Sequence, residues 1–129
     1  MFQTAEADMP SPKLEEAQVL EALQGVPEWG LAGESIQRTY RLRDFADAMR
    51  FVGRVAQAAE DARHHPDILI RWNKVTLTLT THDSGGITLE DFALAKQCDA
   101  LAATFPSPDA PAPAALKAPK PARAPKKKV

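Results

Sequence analysis

A change of period about one proline constrains this chain more than any other feature. From Phe45 to Ala59 the apolar residues Phe45, Ala48, Met49, Val52, Val55, Ala56 and Ala59 recur at spacings of three and four. That pattern is an α-helix with one apolar face, and Asp44 stands where an N-cap belongs. From Val75 to Thr81 the period is two, with Val75, Leu77 and Leu79 alternating with Thr76, Thr78 and Thr80. That is a strand with one covered face. Pro66 lies between the two patterns; it cannot extend the helix, and it drives His65 before it toward extended geometry. A one-faced helix followed by a one-faced strand requires a helical layer laid on a sheet.

The remaining elements fit the same layering. Ser11-Pro12 reads as a helix start, followed by Leu14, Ala17, Val19, Leu20 and Leu23 and closed by Gly25 and Pro27. Trp29 opens a short extended stretch broken by Gly30 and Gly33, and Ile36 to Leu42 alternates as a strand. Ile68–Trp72 and Val75–Thr81 form a hairpin with Asn73-Lys74 as its turn. After Gly85-Gly86, Thr88 and Asp91 make a capping box. The helix that follows carries Phe92, Leu94, Ala95, Cys98 and Leu101 and ends near Thr104. The expected fold is α+β, in the order α-β-β-α-β-β-α: a four-stranded antiparallel sheet with three helices packed on one face.

The chain of 129 residues suits one domain. Residues 1–10 read as a flexible lead-in and 11–104 as the folded domain. Residues 105–129 read as a disordered Pro/Ala/Lys-rich tail. That tail carries six basic residues and one acid, Asp109, so its charge is +5; with −1 for the whole chain, the other 104 residues carry −6. An acidic body argues against a nucleic-acid-binding domain. With Cys98 as the one cysteine, no intrachain disulfide forms. No apolar run is long enough to span a membrane, and the acidic N-terminus lacks the apolar stretch of a signal peptide. The expected location is cytoplasmic.

All three histidines fall near one another. His64 and His65 precede the hairpin and His82 follows it, so pairing the strands about Asn73-Lys74 sets His65 opposite His82. Imidazoles gathered there can give and take protons near neutral pH. Other uses of these residues remain open on this reading. The pair can cap a helix C-terminus, or a metal can sit among them. Against a metal, neighbouring residues in extended chain point opposite ways, and no fourth ligand is evident. Trp29 and Trp72 can each be a core residue instead of a pocket wall.

The stretch Glu60-Asp61-Ala62-Arg63-His64-His65-Pro66, then Trp72, His82 and Asp91, resembles the signature of the pterin-4a-carbinolamine dehydratase family. The strings Trp72-Asn73-Lys74-Val75 and Thr81-His82-Asp83 resemble it too. The likeness covers about residues 11–104. Arg63 and Glu90 depart from it, standing where members often have an acidic residue and sometimes a basic one.

The resemblance implies a hydro-lyase acting on a 4a-hydroxytetrahydropterin such as 4a-hydroxytetrahydrobiopterin, the product of aromatic amino-acid hydroxylases. It needs no cofactor and no metal, the pterin being substrate. It implies His64, His65 and His82 as the catalytic set. His64 and His82 would serve as acid and base, and His65 would orient the pterin. Glu60, Arg63, Pro66, Trp72, Thr80, Thr81 and Asp83 become substrate-binding candidates. A homodimer or homotetramer is expected, with a hydroxylase as functional partner and neither membrane nor direct nucleic-acid binding. A family member can also act as a protein-binding coactivator, since the mammalian one binds a homeodomain transcription factor.

Overall fold

The computed structural model describes residues 11–110. Its elements are α1 (Glu16–Leu23), β1 (Gly30–Ala32), β2 (Ser35–Arg41), α2 (Phe45–Ala62), β3 (Asp67–Arg71), β4 (Lys74–Leu79), a 3-10 turn (His82–Ser84) and α3 (Leu89–Ala102). The four strands form one antiparallel sheet in the order β1-β2-β4-β3. Order and layering are those expected from the sequence. The lead-in before Ser11 and the tail after Ala110 lie outside the described residues.

The core forms between the sheet and its helices. Ile36 and Tyr40 of β2 and Val75, Leu77 and Leu79 of β4 point into it and are buried. Against them pack Ala48, Phe51, Val55 and Ala59 of α2 and Phe92, Leu94, Ala95 and Cys98 of α3. The buried stripe of α2 thus runs through Phe51, while Phe45 and Met49, part of the expected apolar face, are exposed. Asp44 caps α2 by accepting from the Asp47 amide at 2.8 Å. Burial pushes the Cys98 thiol up to about 12.

Three local expectations are corrected. Residues 11–14 are not helical: the Leu14 amide donates to the Ile87 carbonyl at 2.8 Å. The helix starts instead at a capping box of Glu15 and Gln18. The hairpin turn is Trp72-Asn73 rather than Asn73-Lys74, and Trp72 takes a left-handed φ of 57°. Asn73 is buried and holds the turn, its Nδ2 donating to the Leu42 carbonyl at 2.9 Å. Finally, Phe105, read from sequence as the first tail residue, packs on the core. Its ring meets Phe51 edge-on at 6.0 Å, with the Arg54 guanidinium 5.1 Å from its centroid.

Candidate active site

The corrected turn changes the register of the hairpin and with it the geometry of the histidines. Asp67 pairs with Thr78, Leu69 with Thr76 and Arg71 with Lys74. Continued past Pro66, that register sets His64 opposite Thr81 and His65 opposite Thr80, two residues short of His82. The three histidines do share one edge of the sheet, but His82 lies on the 3-10 turn just beyond β4 and not directly across from His65.

The end of α2 aims the first two histidines. Arg63 adopts a left-handed conformation (φ 55°, ψ 40°). The amides of Arg63 and His64 donate back to the carbonyls of Glu60 and Ala59, at 3.2 and 3.1 Å. This is a Schellman ending with a non-glycine residue in the position that favours glycine. The chain turns sharply there, and Pro66 keeps the next residues extended. His64 therefore faces inward and His65 outward.

His64 is built into the protein. Its side chain is 10% exposed, and its Nε2 lies 2.5 Å from Oδ1 of Asp91, which is fully buried. The other oxygen of Asp91, Oδ2, accepts from the Thr88 amide at 2.9 Å and from the Thr81 hydroxyl at 3.0 Å. One carboxylate thus closes the capping box of α3 and holds His64. The Thr81 hydroxyl also meets that of Thr88 at 2.8 Å. On the far side of the ring, Nδ1 of His64 lies 3.9 Å from Glu90 Oε1. Glu90 in turn accepts from the Ser11 hydroxyl at 2.8 Å.

His65 is the reverse case. Its side chain is 61% exposed, and its Nε2 lies 2.6 Å from Glu60 Oε2 on the last turn of α2, itself exposed. His82 is exposed on a loop closed by paired backbone bonds between Thr81 and Gly86 and by a left-handed Gly85. The Ser84 hydroxyl donates to the Ser11 carbonyl, so the extended 11–14 segment braces this loop as well as Glu90.

The other candidates divide. Asp83 is exposed beside His82, Pro66 is half-buried beside His65, and Arg63 is exposed at the turn. The side chain of Thr81 is committed inward to Asp91 and Thr88, and Thr80 donates to the Glu34 carbonyl at 2.7 Å. Trp72 is not brought to the histidines. It sits at the other end of β3, five strand residues away, about 17 Å at the usual rise. Two partners were not among the residues singled out for the site. Asp91 was legible in sequence as a helix cap and signature acid, but its second duty toward His64 was not. Glu90 showed only as a departure from the family pattern. Among the described residues no group of three or more His, Cys, Asp or Glu side chains is arranged to hold a metal. A cavity of about 530 Å³ beside α1 is lined by Lys13, Val19, Leu31, Glu34 and Ile87 and contains none of the histidines.

Comparison with known proteins identifies the family and the fold. Residues 12–101 match the family model described as pterin 4 alpha carbinolamine dehydratase. A relative from Thermomicrobium roseum, provisionally named pterin-4-alpha-carbinolamine dehydratase, is 51% identical over 90 residues, 70% of this chain and 97% of its own. One from Nocardia farcinica with the same provisional name is 49% identical over 94 residues, 73% of this chain and 99% of its own. Among solved structures, a protein described as a transcriptional coactivator/pterin dehydratase from Brucella melitensis superposes with a TM-score of 0.68 at 34% identity. It covers 70% of this chain and 98% of its own. A pterin dehydratase-like protein identified as a RuBisCO assembly factor shares the fold at a TM-score of 0.51 and 24% identity. The chain belongs to the pterin-4a-carbinolamine dehydratase family.

Proposed function

We propose that this protein dehydrates a 4a-hydroxytetrahydropterin to the quinonoid dihydropterin and water, by acid–base catalysis between histidines. The observation that carries this reading is the pairing of His64 with Asp91 and of His65 with Glu60 at the sheet edge that also bears His82. A carboxylate on one ring nitrogen fixes an imidazole's tautomer and orientation and leaves the other nitrogen for proton transfer. In the reaction the C4a–O bond breaks as an acid protonates the departing hydroxyl, and a base removes the proton from N5. No net oxidation occurs, and the reading invokes neither cofactor nor metal.

His64 and His82 take the acid and base roles, and His65, held by Glu60, orients the pterin ring. Asp83, Pro66 and Arg63 line the approach. The histidines stand at an open edge, which fits a site completed in a homo-oligomer. The reading also has the protein working in the cytoplasm, beside an aromatic amino-acid hydroxylase whose pterin-dependent reaction supplies the 4a-hydroxytetrahydropterin. A binding role alone, as the coactivator name of the Brucella relative raises, gives the exposed His65–Glu60 pair no task.

The test is direct. Purified protein should accelerate dehydration of 4a-hydroxytetrahydrobiopterin, with activity unchanged by EDTA. Absence of acceleration, or loss of it on chelation, overturns the reading. Light scattering should show a species larger than the 14.0 kDa monomer.

A further inference from the structure

The end of the hairpin opposite the histidines carries features that neither folding nor the proposed reaction uses. Pairing sets Arg41 of β2 opposite Lys74 of β4, and Lys74 opposite Arg71 of β3. By strand alternation these three residues point away from the core side held by Tyr40 and Val75, onto the face of the sheet without helices. All three are exposed. Cross-strand neighbours lie about 4.5–5.5 Å apart at Cβ, and like charges directly opposite are destabilising. Three cations in a row therefore weaken the sheet unless something anionic covers them.

The turn beside the row adds a second cost. Trp72 has φ 57° at the first central position of a two-residue hairpin loop, where glycine is favoured and a bulky side chain is an outlier. The residue is 67% exposed, so no buried packing offsets that strain. The buried Asn73 pins the turn to Leu42, so the indole is presented from a fixed backbone. Arg71, Trp72 and Lys74 together line an open hollow, and Leu69, 54% exposed, follows on the same face.

We propose that this row, with Trp72 at its edge, is a docking surface for an acidic peptide segment of another protein. Charge complementarity selects the partner, because on a body of net −6 this row is where an anion is drawn in. The structure already seats one peptide carboxylate there: Asp109 lies 3.6 Å from the Arg41 guanidinium. Carboxylates about 5–6 Å apart, the i, i+3 and i, i+4 spacing of a helix, match the row. An apolar residue beside them would rest on the indole. Three cations on an acidic body are few for a nucleic-acid backbone, whose binding scales with the number of phosphates neutralised. Beyond Asp109 the chain's own C-terminal tail carries six basic residues and no acid, so that stretch would be repelled.

Anisotropy of a fluorescein-labelled 14-residue helical peptide, with glutamates at i, i+4 and one leucine beside them, tests this on the full chain. A 14-nucleotide single-stranded DNA serves as the competing probe. The wild type should bind the peptide more tightly than the DNA. R71E/K74E should weaken peptide binding at least tenfold. Trp72→Gly should weaken it several-fold while leaving Tm unchanged or higher, because glycine accepts the left-handed backbone. That stability gain separates lost contact from lost fold. No wild-type binding at 1 mM peptide, tighter binding of the DNA, or peptide affinity unmoved by R71E/K74E would each overturn the proposal. The last outcome would assign the attraction to the lysines of the tail.

Discussion

His64 and His65 are adjacent in sequence, each has a carboxylate on Nε2 at almost the same distance, and they occupy opposite environments. His64 with Asp91 is enclosed: 10% and 0% of the two side chains are exposed. His65 with Glu60 is in water, at 61% and 71%. The difference originates in backbone geometry, a left-handed residue followed by extended chain, which sends successive side chains to opposite sides. It shows that one contact distance describes two kinds of interaction. The buried pair is part of the fold's hydrogen-bond network, and removing one member strands the others. The exposed pair is screened by solvent and contributes little to stability. In the proposed reaction its task is to orient the substrate.

The contrast breaks first at Asp91. Asp91→Ala deletes a cap and leaves a buried amide, a buried hydroxyl and an imidazole short of a partner. Stability should fall by about 3 kcal/mol or more, seen as a Tm lowered by roughly 10–20 °C. Turnover should fall with it. A Tm within 3 °C of wild type would show that the network is not the anchor described here. Next in size, His64→Ala and His82→Ala should each lower kcat by roughly 10²-fold, and His82→Ala should leave Tm nearly unchanged. Full kcat in His82→Ala with both stereoisomers of the substrate would remove it from the proposed pair.

The exposed pair should respond more weakly and differently. His65→Ala should raise KM and leave kcat within a few-fold. Glu60→Gln should change stability by less than about 0.5 kcal/mol while loosening substrate binding in the same direction. A kcat effect from His65→Ala as large as that from His64→Ala would erase the distinction between the two histidines. A final substitution tests the origin of the contrast. Arg63→Gly should stabilise the protein by about 0.5–1 kcal/mol, since glycine accepts the left-handed conformation at the end of α2 without the Cβ penalty. A loss of stability on chemical denaturation would mean that the arginine side chain holds the turn by contacts other than its backbone.

The layered fold was legible because periods of 3.6 and 2 report burial on one face; β4 shows its period cleanly, while the buried stripe of α2 runs through Phe51 and leaves Phe45 and Met49 exposed. Where side chains satisfy competing rules the sequence was harder to read. Ser11-Pro12 has the chemistry of a helix start, yet the Leu14 amide finds a partner in Ile87, and capping passes to Glu15 and Gln18. Asn73-Lys74 looked like the hairpin turn because nothing local favours tryptophan at positive φ. Burial of Asn73 against Leu42 decided the matter, and that contact is invisible until β2 is in place. The histidines and Glu60 could be named from their spacing. Their unequal exposure could not, because it turns on the left-handed Arg63; nor could the second duty of Asp91 and the approach of Glu90 to His64, which depend on how α3 docks against the end of the hairpin.

The double role of Asp91 has a consequence for reading relatives of this protein. A carboxylate that caps a helix would be kept by selection for folding alone, even in a descendant that had given up chemistry, and His64 would be kept with it as the partner that fills the space. Glu60 and His65 have no such shelter. Standing in water and holding nothing together, they would drift within a lineage that stopped using them. The informative residues for asking whether a given relative still turns over a pterin are thus the two on the outside of the fold, not the better-ordered pair within.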